Sequence, residues 1–290
     1  MIKKFKLYES SPAIIGIVGI PSGEYLEITT QQFEILNEAE MLIYHPRLRC
    51  MTFQDADYHN IMYYIKDNQK DKIIKFLNVI GLRKYKINDD YTVDALESVK
   101  IRMPLATIPV KFDYVMGDFD ASSCGLVNLK GCPDVVEGNF ICTNNRLGSL
   151  KGGPSVVGGN YDVRQSGLND LAGAPEKIQK DFMASYNSMP DLIGGPKIVN
   201  GSYYVDNCLL VSLEGSPDLL VGNFDCSFNL LDDLKDGPDM IGGTYDCSNN
   251  DIKTLKNGPA SVPIFKCNGN RKLRDLHLAP YGAKIISDEL

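Results

Sequence analysis

Residues 158–175 read GGNYDVRQSGLNDLAGAP; the same frame stands 21 positions earlier as EGNFICTNNRLGSLKGGP (137–154) and recurs at 221–238 as VGNFDCSFNLLDDLKDGP. Prolines fall at 133, 154, 175, 196, 217, 238, 259 and 280, always 21 apart. A leucine column runs from Leu129 to Leu276 at that spacing, and a second, three residues earlier, runs from Leu126 to Leu273 with Met189 and Ile252 as substitutes. An aromatic column holds Phe119, Phe140, Tyr161, Phe182, Tyr203, Phe224 and Tyr245, and the last copy slips by one to Phe265. A unit this short cannot bury its own apolar residues, but stacked copies share one continuous core.

Each column has a physical assignment. Glycines at 117, 138, 159, 201, 222 and 243 precede the aromatic by two and are read as tight turns into a short strand. Alternation along the strand points the aromatic and the residue two later inward. Asn145, Asn187, Asn229, Asn250 and Asn270 share the following turn, where side-chain amides can bond backbone groups left unpaired by the bend. Leu-x-x-Leu packs the far wall, and proline, with its fixed φ, turns the chain back.

The frame F/Y-x-C-S-x-N-x-L-x-x-L resembles the leucine-rich repeat, and its short Gly/Pro-marked return resembles the compact bacterial subtype. It is most similar to the GCP-x-x-V-x-G-x-F-x-C-S-x-N-x-L-x-S-L arrays of large tailed bacteriophages and some bacteria. The resemblance covers residues 100–281 and implies architecture rather than activity. Departures are Lys180 for the turn glycine, Asp236 and Asn257 at the loop glycine, and Arg164-Gln165-Ser166 at the Ser/Asn turn, so those coils are expected to be distorted.

The expected fold is therefore a mixed α/β N-terminal domain (1–84), a hairpin and capping coil (85–114), and a leucine-rich-repeat-like solenoid of parallel strands (115–281). Residues 282–290 form a C-terminal cap or tail. Eight to nine coils at strand spacing give a stack of roughly 40 Å. In the capping coil Leu105 and Ile108 stand in the leucine columns. In the N-terminal part, 13–20 and 24–29 read as strands. Apolar spacing predicts helices carrying Phe33, Leu36, Ala39 and Leu42, then Tyr58, Ile61, Met62 and Ile65, then Ile73, Ile74, Leu77 and Ile80, the last ending at Gly81.

Composition narrows the function. The chain of 290 residues carries a formal net charge of −7. Residues 1–90 hold 12 basic and 12 acidic side chains, so the deficit lies in the repeat, an acidic surface that repels phosphate backbones; no nucleic acid is expected. The apolar run Ala13–Ile20 is too short to span a bilayer, so no membrane role is expected, and a cytoplasmic location is the default.

No catalytic motif is present, and neither a cofactor nor a metal is expected. Cys142, Cys226, Cys247 and Cys267 share an inward column with Ala121, Val163, Ala184 and Val205, which marks a packing slot. With no C-x-x-C pair and no histidine near the repeat cysteines, a metal is disfavoured. His45 and His59 lack a nucleophile motif; an unrecognised site in the N-terminal domain is the remaining route to an enzyme.

The outward strand positions carry the candidate site. Asp120, Ile141, Asp162, Met183, Tyr204, Asp225 and Asp246 form one column, with Lys266 after them. Asp118, Asn139, Asn160, Asp181, Ser202, Asn223 and Thr244 lie two residues earlier, and Arg164 and Asp206 two later. The plain reading is solvated aspartates. The functional one is a strip for a basic protein partner, with Tyr204, Met183 and Arg164 at its centre.

Finally, MIKKFKLYESS resembles the short N-terminal targeting peptides of internal phage head proteins, which implies cleavage after Glu9, before Ser10. The leading expectation is a non-enzymatic, phage-like or bacterial protein-binding solenoid, the second a virion component.

Overall fold

The structure, a computed structural model, describes residues 16–19, 25–28, 42–45, 50–53 and 58–288, with side chains from residue 69 onward. Two compact units are present, residues 1–75 and 76–290.

In the first unit, strands Gly16–Gly19, Tyr25–Ile28, Leu42–His45 and Cys50–Phe53 form one sheet. Leu42, expected on a helix, is the first residue of a strand. The two helices expected between 57 and 80 are a single one, Tyr58–Val79. Its end follows the expected chemistry: Gly81 sits at φ 76°, and Leu82 N–H donates to Leu77 O (2.9 Å). Among its residues from 69 onward, Ile73 and Leu77, one turn apart, are buried. Glu9 and Ser10 lie outside the described residues.

The second unit is a parallel β-solenoid with a repeat of about 21 residues. Its main sheet has ten strands: Val99–Lys100, Phe119–Asp120, Phe140–Ile141, Tyr161–Asp162, Phe182–Met183, Tyr203–Tyr204, Phe224–Asp225, Thr244–Asp246, Ile264–Lys266 and Lys284–Ile286. Each pairs in parallel with the next, and the one-residue slip at Phe265 is absorbed, since Phe265 still lies beside Tyr245. The inward rings form a continuous stack, with neighbouring centroids 4.8–5.8 Å apart from Phe119 to Phe265. Above them the cysteine column packs, fully buried, among alanines and valines. In the C-terminal segment, expected as a cap or tail, Lys284–Ile286 pairs with the last coil as the tenth strand of the sheet.

Two side-chain ladders hold successive coils. The asparagine ladder is the expected one. Asn187 Oδ1 accepts from Ser166 N and Leu168 N (both 3.0 Å), while its Nδ2 donates to Val163 O (3.1 Å) and Ala184 O (2.7 Å). Asn145, Asn229 and Asn250 repeat the pattern. The second ladder was not expected. Asp118 Oδ1 accepts from Asn139 N (2.7 Å), Asn139 Oδ1 from Asn160 N (2.8 Å), and Asn160 Oδ1 from Asp181 N (3.1 Å). Asp181, Ser202 and Asn223 continue it to Thr244. Strand alternation puts this column on the open face. Its side chains, mostly half-buried, run along the stack and satisfy one backbone N–H per coil.

The glycine before each aromatic answers to proximity rather than to turn geometry. At Gly222 a Cβ would lie 2.6 Å from the carbonyl oxygen of Gly201 in the preceding coil. Lys180 brings a Cβ to this column, and the coil it belongs to is where the second sheet breaks. Val156–Val157 ends a five-stranded sheet that begins at the Tyr85–Ile87/Val93–Ala95 hairpin, and Lys177–Ile178 starts a separate three-stranded one. Distortion at Lys180 is thus confined to that wall, since the main sheet pairs Tyr161 with Phe182 regularly. No distortion is found at Arg164-Gln165-Ser166: Ser166 Oγ donates to Cys142 O (2.7 Å) where other coils use asparagine. Asp236 adopts φ 63° in the column where Gly131, Gly152, Gly173, Gly194 and Gly215 are also left-handed. Short polar side chains tolerate that region.

Candidate functional site

Strand register places the outward column as read. Asp120, Ile141, Asp162, Met183, Tyr204, Asp225, Asp246 and Lys266 are successive partners across the main sheet. The row is not a freely solvated one: its members are half-buried, and Asp162 is buried.

Most of its charge is answered within the chain. Arg102 pairs with Asp120 (2.6 Å) and Lys266 with Asp246 (3.1 Å). Arg164, expected to meet a partner, turns back on Asp162 as a fork, with Nε to Oδ1 at 2.9 Å and Nη2 to Oδ2 at 2.7 Å. Asp206 and Asp225 differ. Asp206 accepts from Ser185 Oγ and from Asn207 Nδ2, and Asp225 from Ser227 N (3.0 Å) and Oγ (2.6 Å). Neither is ion-paired among the described residues.

The electrostatics separate the same groups. Burial opposes the charge of Asp120, but hydrogen bonds from Arg102 and Ser122 outweigh it and hold the carboxyl down to about 2. Asp225 moves the other way: burial raises it, and the neighbouring carboxylates of Asp246 and Asp206 add to the rise against the bonds from Ser227. An external cation at Asp225 and Asp206 would relieve this repulsion.

Part of the acidity is local structural chemistry that sequence reading missed. Asp120, Asp225 and Asp246 each bond the backbone N–H and hydroxyl of the serine two residues on, Ser122, Ser227 and Ser248. The Asp-x-Ser spacing was the available signal for this turn.

Among the residues with described side chains, seven buried cysteines line the solenoid interior. Among the described residues no cluster of three or more His, Cys, Asp or Glu side chains could hold a metal ion, and no helix is long and apolar enough to cross a membrane. His45 ends a strand and His59 lies in the helix of the first unit. No protein-family model, no curated protein and no solved structure matches the chain.

Proposed function

We propose that the protein is a non-catalytic binding module whose solenoid holds a protein partner on the outer face of the main sheet. The observation that carries the reading is the central stretch of that face, where Met183 and Tyr204 lie side by side next to two carboxylates, Asp206 and Asp225, without a cation of their own. A half-buried aromatic and a thioether beside unpaired acids suit a basic, partly apolar surface. Residues 1–84 are, in this reading, a small mixed α/β domain that accompanies the module. The repeat's likeness to the arrays of tailed phages and bacteria supports a structural or interaction role in such a setting.

Affinity purification from the native host tests the reading. Partner recovery is expected to fall with Asp206→Lys and Asp225→Lys together and to persist with Asp134→Lys, a charge reversal on another wall. Equal recovery with both would remove the strand face from the account.

A further inference from the structure

Seven successive coils turn the asparagine corner through a left-handed residue that is not glycine, and the next coil uses Gly269 at φ 76°. Ser123, Asn144, Gln165, Tyr186, Asn207, Phe228 and Asn249 form this column, with φ between 54° and 60°. Serine, asparagine and glutamine present small or polar groups there, but Tyr186 and Phe228 are aromatic and 55% and 57% exposed. Two residues on, Leu209 is also left-handed at φ 64°, in a column where Gly125 and Gly167 take the same region, and it is 56% exposed. Leu230 and Val211 join them, 53% and 56% exposed. Backbone bonds stack these coils directly: Asn207 N donates to Ser227 O (3.1 Å), Leu230 N to Leu210 O (2.9 Å) and Val211 N to Pro190 O (2.9 Å). Folding alone does not call for three bulky apolar side chains in strained backbone facing solvent, since the same columns function with asparagine and glycine.

The corner also adjoins the charge that the chain leaves unanswered. Asp206 precedes Asn207 directly, and its carboxylate accepts from Ser185, the residue before Tyr186. Asp225 lies three positions before Phe228 on the same strand end. The patch is therefore apolar on the corner and anionic on the side facing the sheet.

We propose that Tyr186, Leu209, Val211, Phe228 and Leu230 form a docking site for a segment of a partner protein that presents apolar side chains together with a lysine or arginine for Asp206 and Asp225. The aromatics and leucines bury the apolar groups, and the cation settles between the two carboxylates at the corner's edge. The proposal rests on the protein-binding reading above and extends the contact from the sheet face around the corner, where the larger share of affinity resides.

A random dodecapeptide library selected on the full-length chain tests it, with the enriched peptides synthesised and their Kd measured by fluorescence anisotropy. Enriched peptides are expected to combine apolar residues with lysine or arginine. The corner variant Tyr186→Asn/Leu209→Gly/Phe228→Asn, built from residues the same columns already use, is expected to raise Kd at least about tenfold. The variant Asp206→Asn/Asp225→Asn is expected to raise Kd for the same peptides and to flatten their salt dependence. Unchanged binding by the corner variant with loss in the aspartate variant overturns the corner and leaves the sheet face standing. Unchanged binding by both overturns both readings, and failure of any peptide to enrich overturns the corner. Sedimentation showing a concentration-dependent dimer that the corner variant abolishes would assign the patch to a second copy of the chain and overturn the proposal.

Discussion

A Cβ added at Gly195 would lie 2.8 Å from the hydroxyl of Tyr203, and the same relationship joins Gly153 to Tyr161 (3.0 Å) and Gly237 to Tyr245 (2.6 Å). In the intervening coils the ring is phenylalanine, and the residue eight before it carries a side chain: Cys132 before Phe140, Ala174 before Phe182, Ser216 before Phe224. Ring and floor are matched in size, so the alternation of Phe and Tyr is a packing rule. The three tyrosine hydroxyls are buried without a hydrogen-bond partner in the structure, which makes the glycine floor, not a polar contact, their accommodation.

Gly195→Ala is therefore expected to destabilise by about 1–3 kcal/mol through overpacking. Tyr203→Phe should be near neutral, since it removes a buried orphan hydroxyl. The double variant copies the Ala174/Phe182 coil and should recover most of the loss, with a coupling of about 1 kcal/mol or more. Urea unfolding of the four proteins measures it.

The asparagine ladder makes a sharper demand. Asn229 Oδ1 accepts from Cys208 N (2.9 Å) and Leu210 N (3.0 Å), while Nδ2 donates to Val205 O (2.9 Å) and Cys226 O (3.0 Å). Asn229→Ala strands several buried backbone groups at about 1–3 kcal/mol each, so a loss of at least about 3 kcal/mol is expected. Asn229→Ser should fall less, because Ser166 fills an equivalent position by donating to a carbonyl of the preceding coil. Calorimetric unfolding ranks the two.

Strain at the corner predicts the opposite sign. Tyr186→Asn, Phe228→Asn and Leu209→Gly each place in left-handed backbone a residue better suited to it. Each is expected to stabilise the chain by about 0.5–1 kcal/mol. A rise in Tm together with loss of peptide binding would identify the three side chains as retained for contact rather than for folding.

Two aspartates give opposite responses to pH. The folded Asp120 carboxyl is depressed to about 2 from its ordinary 3.8, so its stabilisation is present above that ordinary value and is lost as pH falls toward about 2. Asp120→Asn should thus lower Tm at neutral pH, with the difference closing on acidification. Asp225 is raised by burial and by Asp246 and Asp206, so its ionised form opposes folding at neutral pH and protonation removes the penalty. Asp225→Asn should raise Tm at neutral pH, and the gain should shrink as pH falls through the raised folded pKa and vanish below the ordinary 3.8. Thermal scans across pH check both signs.

Burial pushes the Cys208 thiol up to about 12 and places those of Cys142, Cys226 and Cys247 well above the ordinary thiol range. Since the thiolate is the reactive form, these residues should resist iodoacetamide in native buffer and label fully in denaturant. Mass spectrometry of the alkylated peptides reads the difference site by site.

The solenoid was legible where one side chain does one job in every coil. Aromatic, leucine, proline and asparagine columns keep their chemistry, so spacing alone exposed them. The left-handed corner was hidden because its shared property is a backbone angle, and Ser123, Gln165, Tyr186 and Phe228 look unrelated as letters. The bonding of the Asp118–Thr244 ladder was hidden because outward alternation ignores a side chain that bends along the stack to the next coil's N–H. The strip's register was read correctly, but not its internal ion pairs, because Arg102 reaches Asp120 across coils and the Arg164 fork depends on a rotamer. In the first unit, apolar stripes predicted helix at Leu42, yet Leu42–His45 pairs antiparallel with Cys50–Phe53; a short apolar run does not by itself distinguish the two.

The ring column is the most direct point of attack on the whole account, and an aromatic-resolved NOESY spectrum reads it. Ring contacts are predicted in unbroken sequence from Phe112 through Phe119, Phe140, Tyr161, Phe182, Tyr203, Phe224 and Tyr245 to Phe265, each ring seeing only its neighbours in that order. Rings that show no cross-peaks to those neighbours, or that contact one another out of order, would contradict the stacked coils and every site placed on them.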